Sequence, residues 1–320
     1  VASAEVRALA GSSFIIATRN RPGELVETVK SLVEQTVLPK DLCIVDSSDE
    51  TPARPEIQSL CADAGLPLDY CHPAPRGLTV QRNVGIDRTD GDPVFLIDDD
   101  VWLSPDCHEQ ILAEYDRWGP ELGGVRGVPM RPAMPAWYTI FFRKIFGMGG
   151  WWPEASGKMR KGFFVEGISA SAGVRKLEYF NGWFMSYRRD VFEHERFDEL
   201  LSGYAYKEDI DFSYRIAQRY VLVQTPKARI NHLKTESQRM SPFNLQRMNL
   251  ANQFYFHRKH MPQTIRYRVA LWWALVGLFS LNVGKSIQQR DHGYITGLLV
   301  GAWEQARGKG LIDPAEVSKR

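Results

Sequence analysis

Apolar residues recur along the first hundred positions with two alternating periods. Residues 14–17, 42–45, 68–70 and 94–97 are short runs rich in β-branched and aromatic side chains, the composition of buried strands. Between them, residues 23–35 place Leu25, Val29, Leu32 and Val33 on one helical face, and 55–64 and 78–87 repeat amphipathic spacing. Strands alternating with helices predict an α/β domain with right-handed crossovers and a largely parallel sheet covered on both faces. The pattern continues with a helix over 105–118 and a turn at 123–129 leading into a strand. It fails from 130 to 174, where Trp137, Tyr138, Phe141, Phe142, Phe146, Trp151, Trp152, Phe163 and Phe164 interleave with basic residues. An irregular stretch of that length is expected to be functional or mobile. Order returns with a strand at 183–187, a helix at 209–218, strand-like runs at 221–224 and 228–231, and helices from 242 onward.

The polar residues of the first third sit where the strands end. Thr18, Arg19, Asn20 and Arg21 follow the first strand, Asp46 the second, and Asp98, Asp99 and Asp100 the fourth. Parallel α/β sheets bind ligands beyond the carboxyl ends of their strands, so three loops are expected to converge on one crevice. Because successive strand side chains alternate in direction, Asp98 and Asp100 are expected to project to the same side, as a hard-oxygen site for Mg²⁺ or Mn²⁺. A bare acidic triplet is otherwise a solvated turn; its place after a buried strand favours the metal site.

Composition narrows the picture. The 320 residues suffice for a full core, and a net charge of +2 hides a basic C-terminal third, with 14 Lys or Arg against 5 Asp or Glu from Arg229 onward. Cys43, Cys61, Cys71 and Cys107 lack metal-ligand spacing and read as free thiols of a reducing compartment. Residues 1–13 lack the basic and apolar segments of a secretory leader. Residues 269–284 are uncharged, contain Trp272 and Trp273, and fall short of the ~20 residues of a spanning helix. They read as a buried core helix or one lying in a membrane interface.

Taken together and in order, these segments resemble the inverting family-two glycosyltransferases. FIIATRNRP (14–22) resembles that family's opening strand and nucleotide-binding turn, CIVDSSD (43–49) its second strand with a base-contacting acid, and RGLTVQRNVG (76–85) its glycine–arginine–asparagine segment. FLIDDD (95–100) is similar to the Asp-X-Asp metal motif, NGWFMSYRR (181–189) to the strand lining the donor-sugar pocket, and EDIDFSYR (208–215) to the motif holding the catalytic base. Ser47 and Ser48 depart from the pattern, as does the aromatic insertion. The resemblance implies a glycosyltransferase A fold: a Rossmann-like, mostly parallel twisted sheet flanked by helices, with a helical C-terminal extension. It divides the chain into a catalytic region 1–233, carrying the insertion 130–174, and a helical region 234–320.

The implied activity is metal-dependent, inverting transfer of one sugar from a nucleotide diphosphate donor, with a UDP-sugar preferred. Mn²⁺ or Mg²⁺ would be held by Asp100, by Asp98 directly or through water, and by His232. Asp209 would be the base, with Glu208 the neighbour able to replace it and helix capping the plain alternative for Asp209. Thr18, Arg19, Asn20, Arg21, Asp46, Arg76, Arg82, Asp98 and Asp99 would bind nucleotide, Arg82 at either the base edge or the phosphates. Gly182 and Trp183 would shape the sugar pocket, unless the indole is ordinary core. The Gln-X-X-Arg-Trp motif of processive synthases is absent from the sequence, which points to single transfers. The acceptor expected is a glycan or lipid-linked saccharide, reached by peripheral contact with an anionic membrane at its cytoplasmic face and without nucleic acid. The competing readings are an inactive nucleotide- or membrane-binding scaffold, and a sugar nucleotidyltransferase, which needs a glycine-rich triphosphate loop that ATRNRP does not supply.

Overall fold

The computed structural model describes residues 11–131, 136–150, 156–168, 173–201, 203–233 and 240–308. Its first elements alternate as β1 (Ser13–Thr18), α1 (Pro22–Val33), β2 (Asp41–Asp46), α2 (Arg54–Ala64), β3 (Leu68–Cys71), α3 (Leu78–Arg88) and β4 (Val94–Asp98). Then come β5 (Val101–Leu103), α4 (Cys107–Trp118), β6 (Leu122–Pro129), α5 (Trp137–Ile145), β7 (Arg175–Leu177) and β8 (Phe184–Tyr187). The chain continues through α6 (Val191–His194), α7 (Glu208–Ile216), β9 (Val221–His232), α8 (Pro242–His260), α9 (Ile265–Gln289) and α10 (Gly293–Ala306). It divides into two compact units: Val1–Pro132, Ala170–Phe197 and Phe212–Ser237 form one, and Ala133–Ser169, Asp198–Asp211 and Gln238–Arg320 the other.

The first unit is an α/β sandwich around a sheet ordered β3-β2-β1-β4-β8-β6-β9-β5, with β7 also paired to β9. Strands β3, β2, β1 and β4 are mutually parallel, as short helical crossovers require. Beyond them the sheet is mixed, because β8 returns antiparallel to β4 after the long excursion that follows β6. Helices on both faces explain why β1, β2 and β4 read as near-continuous apolar runs. Phe14 and Phe95 stack at 4.2 Å on neighbouring strands, and α1 buries Leu25, Val29 and Leu32 against this sheet core. On α3, a Cβ at Gly85 would lie 2.3 Å from Ile15 Cγ2, so only glycine lets α3 sit this close to β1.

Three sequence expectations change in the first unit. Residues 123–129 are strand throughout. The runs 221–224 and 228–231 are one twelve-residue strand, β9, whose register against β6 shifts opposite Gly127. Pro226 occupies that irregular step, where a missing N–H is tolerated, and this makes one strand read as two. Strand β4 ends at Asp98, and Asp99 and Asp100 form a tight turn into β5; strand alternation does not set their directions.

The second unit is helical. Met148, Phe164, Leu250, Leu271, Ala274, Leu275 and Leu298 form its core, and Arg247 on α8 grips Glu304 on α10 through bonds of 2.7 and 2.6 Å. The stretch expected to be irregular contributes α5 and two isolated bridges, Ser156 with Ile168 and Met159 with Val165. Trp151, Trp152 and residues 1–10 lie outside the described residues. The insertion and the C-terminal helices thus belong to one unit, a grouping by packing that a linear division at 233/234 does not contain. Residues 269–284 prove to be the middle of the 25-residue α9, so the length that they lacked is supplied by flanking polar turns.

Candidate active site and metal centre

The carboxyl ends of β1, β2 and β4 bring the first-third polar residues together. Asp46 ends β2 and is 2 % exposed; its carboxylate accepts from the Tyr70 hydroxyl at 2.6 Å and from the Ser48 N–H at 2.8 Å. Thr18, Arg21, Asp46, Ser48, Glu50 and Tyr70 line an open cleft. At its rim, the Asn20 amide exchanges bonds with Asp49, Asn20 N–H donates to Ser48 Oγ, and Arg76 donates to Asp49 at 2.6 Å. Arg76 is therefore tied to an exposed carboxylate, and Arg19 is exposed to solvent.

Asp98, Asp100 and His232 offer ligand atoms that lie within 4.8 Å of one another. His232 ends β9, which pairs with β5 so that His232 faces Val101, and the Leu233 N–H donates to the Asp100 carbonyl at 2.8 Å. These backbone contacts hold the imidazole Nε2 2.9 Å from Asp100 Oδ1. Trp183 lies parallel to the ring, 5.9 Å away, and the Arg126 guanidinium sits over the indole. Two carboxylates and an imidazole are a donor set suited to Mn²⁺ or Mg²⁺, so the residues present fit a divalent ion.

Arginines balance the acidic ledge. Arg21 forks between Asp99 at 2.5 Å and Asp100 at 2.8 Å, while fully buried Arg82 donates to Asp98 at 3.1 Å and to the Gly182 carbonyl at 3.0 Å. Asp99 stands outside the trio: its carboxylate takes Thr18 and Arg21, and its carbonyl takes the Thr28 hydroxyl. Burial pushes the Asp99 carboxyl up to about 7 against the pull of Arg21. Burial also opposes ionisation of Asp100, but the bonds from His232 and Arg21 outweigh it and hold that group down to about 2. Asp98 is raised by burial, partly offset by Arg82.

In this arrangement Thr18 and Arg21 border the cleft while bonded to the acidic turn, and Arg82 braces Asp98 against the start of β8. Sequence reasoning overlooked Tyr70, Gln81 and Arg126. Tyr70 stands near the carboxyl end of β3, which the strand-end rule could have flagged. Gln81, whose amide bridges the Thr18 and Val45 carbonyls, and Arg126 gave no local signal.

Glu208 and Asp209 open α7 in the second unit. Glu208 is 5 % exposed, whereas Asp209 is half-buried. The same turn is anchored by Asp211, which takes Lys259 at 2.9 Å and His260 Nε2 at 2.6 Å. Just before it, the Lys207 ammonium donates to Gln253 at 2.7 Å and lies over the Phe164 and Tyr206 rings; burial and Arg143 bring its pKa down to about 7.

A parallel half-sheet with polar groups at its strand ends thus stands beside two aspartates and a histidine able to hold a metal. The model of glycosyl transferase family 2 matches residues 13–194, more than half of the chain, and the chain belongs to that family. It has the glycosyltransferase A fold. The chain is 28 % identical over 170 residues to a glucosyl-dolichyl phosphate glucuronosyltransferase of Haloferax volcanii, a match covering 52 % of this chain and 48 % of that protein. The chain thus spans about half the length of this curated relative. The mannosyltransferase PcManGT of Pyrobaculum calidifontis, solved with GDP-Man and Mn²⁺, aligns at a TM-score of 0.57 and 13 % identity, over 95 % of this chain and 89 % of that one. Residues 1–349 of S. aureus TarS align at 0.51 and 14 % identity, over 93 % and 83 %. At such identities these structures establish the fold alone.

Proposed function

We propose that the protein is a metal-dependent, inverting glycosyltransferase that moves one sugar from a nucleotide diphosphate donor, a UDP-sugar in the first instance, to a glycan or lipid-linked saccharide. It would work as a peripheral protein at the cytoplasmic face of a membrane. The observation that carries the reading is the Asp98, Asp100 and His232 cluster, joined through Arg21 to the cleft lined by Thr18, Asp46 and Tyr70. Asp46 presents a carboxylate to the ring N–H of a base, with Tyr70 and Ser48 fixing its direction. Asp98, Asp100 and His232 would hold Mn²⁺ or Mg²⁺, which supplies charge neutralisation for a departing diphosphate.

Asp209 takes the proton from the acceptor hydroxyl as that oxygen bonds to the anomeric carbon. The bond from that carbon to the diphosphate oxygen breaks, and its electron pair leaves with the nucleotide. Inversion follows from attack opposite the leaving oxygen. Glu208 is nearly sealed and Asp209 is half-open, which favours Asp209 as the base. The mannosyltransferase solved with GDP-Man and Mn²⁺ supports the donor class, and the relative named a glucosyl-dolichyl phosphate glucuronosyltransferase supports the lipid-linked acceptor.

The test is a panel of UDP-, GDP- and dTDP-sugars, with and without Mn²⁺, followed by NMR of the anomeric proton of the product. Metal-dependent stabilisation by UDP-sugars and a product of opposite anomeric configuration are expected. Retained configuration overturns inversion, and metal-independent nucleotide binding overturns the metal role.

A further inference from the structure

Helices α5 and α9 come from parts of the sequence more than a hundred residues apart, yet meet in the second unit. The Trp273 Nε1–H donates to the Ile145 carbonyl at 2.8 Å, and the Trp273 ring lies 4.8 Å from that of Phe146. Helix α9 buries one side, α5 is at most half-buried at any position, and both leave an apolar face open. On α5, Trp137, Tyr138, Phe141 and Ile145 share the exposed side, Trp137 at 78 %. On α9, Val269, Trp272, Trp273, Val276 and Phe279 recur at helical spacing and are all exposed. The contact through Trp273 and Ile145 makes these faces one continuous aromatic surface.

Soluble proteins rarely leave such a surface uncovered. Its charge identifies the occupant. Together α5 and α9 carry Arg143, Lys144, Arg266, Arg268 and Lys285 and no Asp or Glu. Arg143 turns inward to the Met148 and Val165 carbonyls, while Lys144, Arg266, Arg268 and Lys285 are exposed. A second copy of the same face would set cation against cation. An anionic lipid surface satisfies both the rings, which favour the headgroup boundary, and the surrounding cations.

Length alone would let α9 cross a bilayer, since 25 residues of helix span about 38 Å. Its packing does not. A Cβ at Gly277 would lie 2.4 Å from Phe146 Cβ, and Leu271, Ala274 and Leu275 are buried in the unit's own core. Asn282 and Ser286 are also buried. The buried residues lie on one side of α9 and make up 28 % of its apolar stretch, so the helix is held to its unit by that side and offers the rest outward, which fits a helix lying along the surface.

We propose that the α5–α9 face docks the protein flat on an anionic membrane, with Trp137, Phe141 and Trp272 entering the headgroup boundary and Arg266 and Arg268 meeting lipid phosphates. This rests on the reading of a membrane-peripheral enzyme and names the surface that serves it.

The test is flotation of the full chain with vesicles of phosphatidylcholine alone, or with about one third phosphatidylglycerol, the lipid charge that attracts basic segments. The wild type is expected to float with the anionic vesicles only. Replacing Trp137 and Phe141 with Ser should lower its partition by at least about tenfold, from lost aromatic burial. Arg266→Glu and Arg268→Glu together, both exposed and harmless to the core, should lower it about fivefold per charge removed. Nucleotide and Mn²⁺ binding, measured in the same samples, should be unchanged, so a loss there would count against sugar transfer and leave docking standing. Absence of wild-type flotation, flotation equal for all variants, or a concentration-dependent dimer dissolved by the Trp137 and Phe141 changes would each overturn the docking proposal.

Discussion

Arg21 connects the cleft to the acidic turn: one guanidinium meets Asp99 and Asp100 while lining the cleft. The residues around it make separable predictions. His232→Ala should weaken Mn²⁺ binding by at least about 100-fold, since even partners outside the coordination shell cost 10–100-fold; calorimetric titration reads this directly. Asp209→Asn should lower turnover by about 10²–10⁴-fold, the usual worth of a positioned base, while nucleotide affinity stays at the wild-type value. Unchanged turnover removes Asp209 from the role. A stability effect belongs to His108, which is 1 % exposed between Ser12 and the Val37 carbonyl. Because a carbonyl only accepts, Nδ1 carries the proton and Nε2 accepts from Ser12. Burial lowers this imidazole to about 4 from 6.5, so between those pH values the unfolded chain binds a proton that the folded chain excludes. Stability should fall by about 3 kcal/mol as pH drops through that window. Urea unfolding at several pH values should show the slope, and His108→Gln should flatten it.

Secondary elements were legible wherever one period ran uninterrupted. β1, β2, β4, α1 and α3 lie where the pattern placed them, because buried parallel strands and amphipathic helices depend on local composition. Reading failed where an element was interrupted or extended by polar residues: Pro226 divided β9, and polar ends concealed the length of α9. Close packing between elements was also invisible, as at Gly85. Gly85→Ala should destabilise by about 1–3 kcal/mol through overpacking against Ile15. In a double-mutant cycle with Ile15→Ala the two costs should not add, since the clash disappears with the side chain that causes it. Additive costs would place the strain elsewhere.

For the whole molecule, nucleotide and metal act as ligands of the folded state. A UDP-sugar with Mn²⁺ at about 100 times its dissociation constant should stabilise by about 2.7 kcal/mol, and chelation should remove that gain. Thermal unfolding with and without EDTA measures both. Of the residues proposed to act, those for nucleotide and metal belong to the unit built on the sheet, and Glu208 and Asp209 to the helical unit with the aromatic insertion.

The sequence by itself determined the α/β class, the strand-end loops and the ordered motifs from FIIATRNRP to EDIDFSYR, because periodicity and chain order are local properties. Tertiary structure alone decided which partners those residues find. It carried His232 across the sheet to Asp100, gave Asp99 to Thr18 and Arg21, put Arg82 beneath Asp98, and joined α5 to α9 in one exposed face. Those pairings lie up to 132 positions apart, and only packing and register bring such distant side chains within bonding reach.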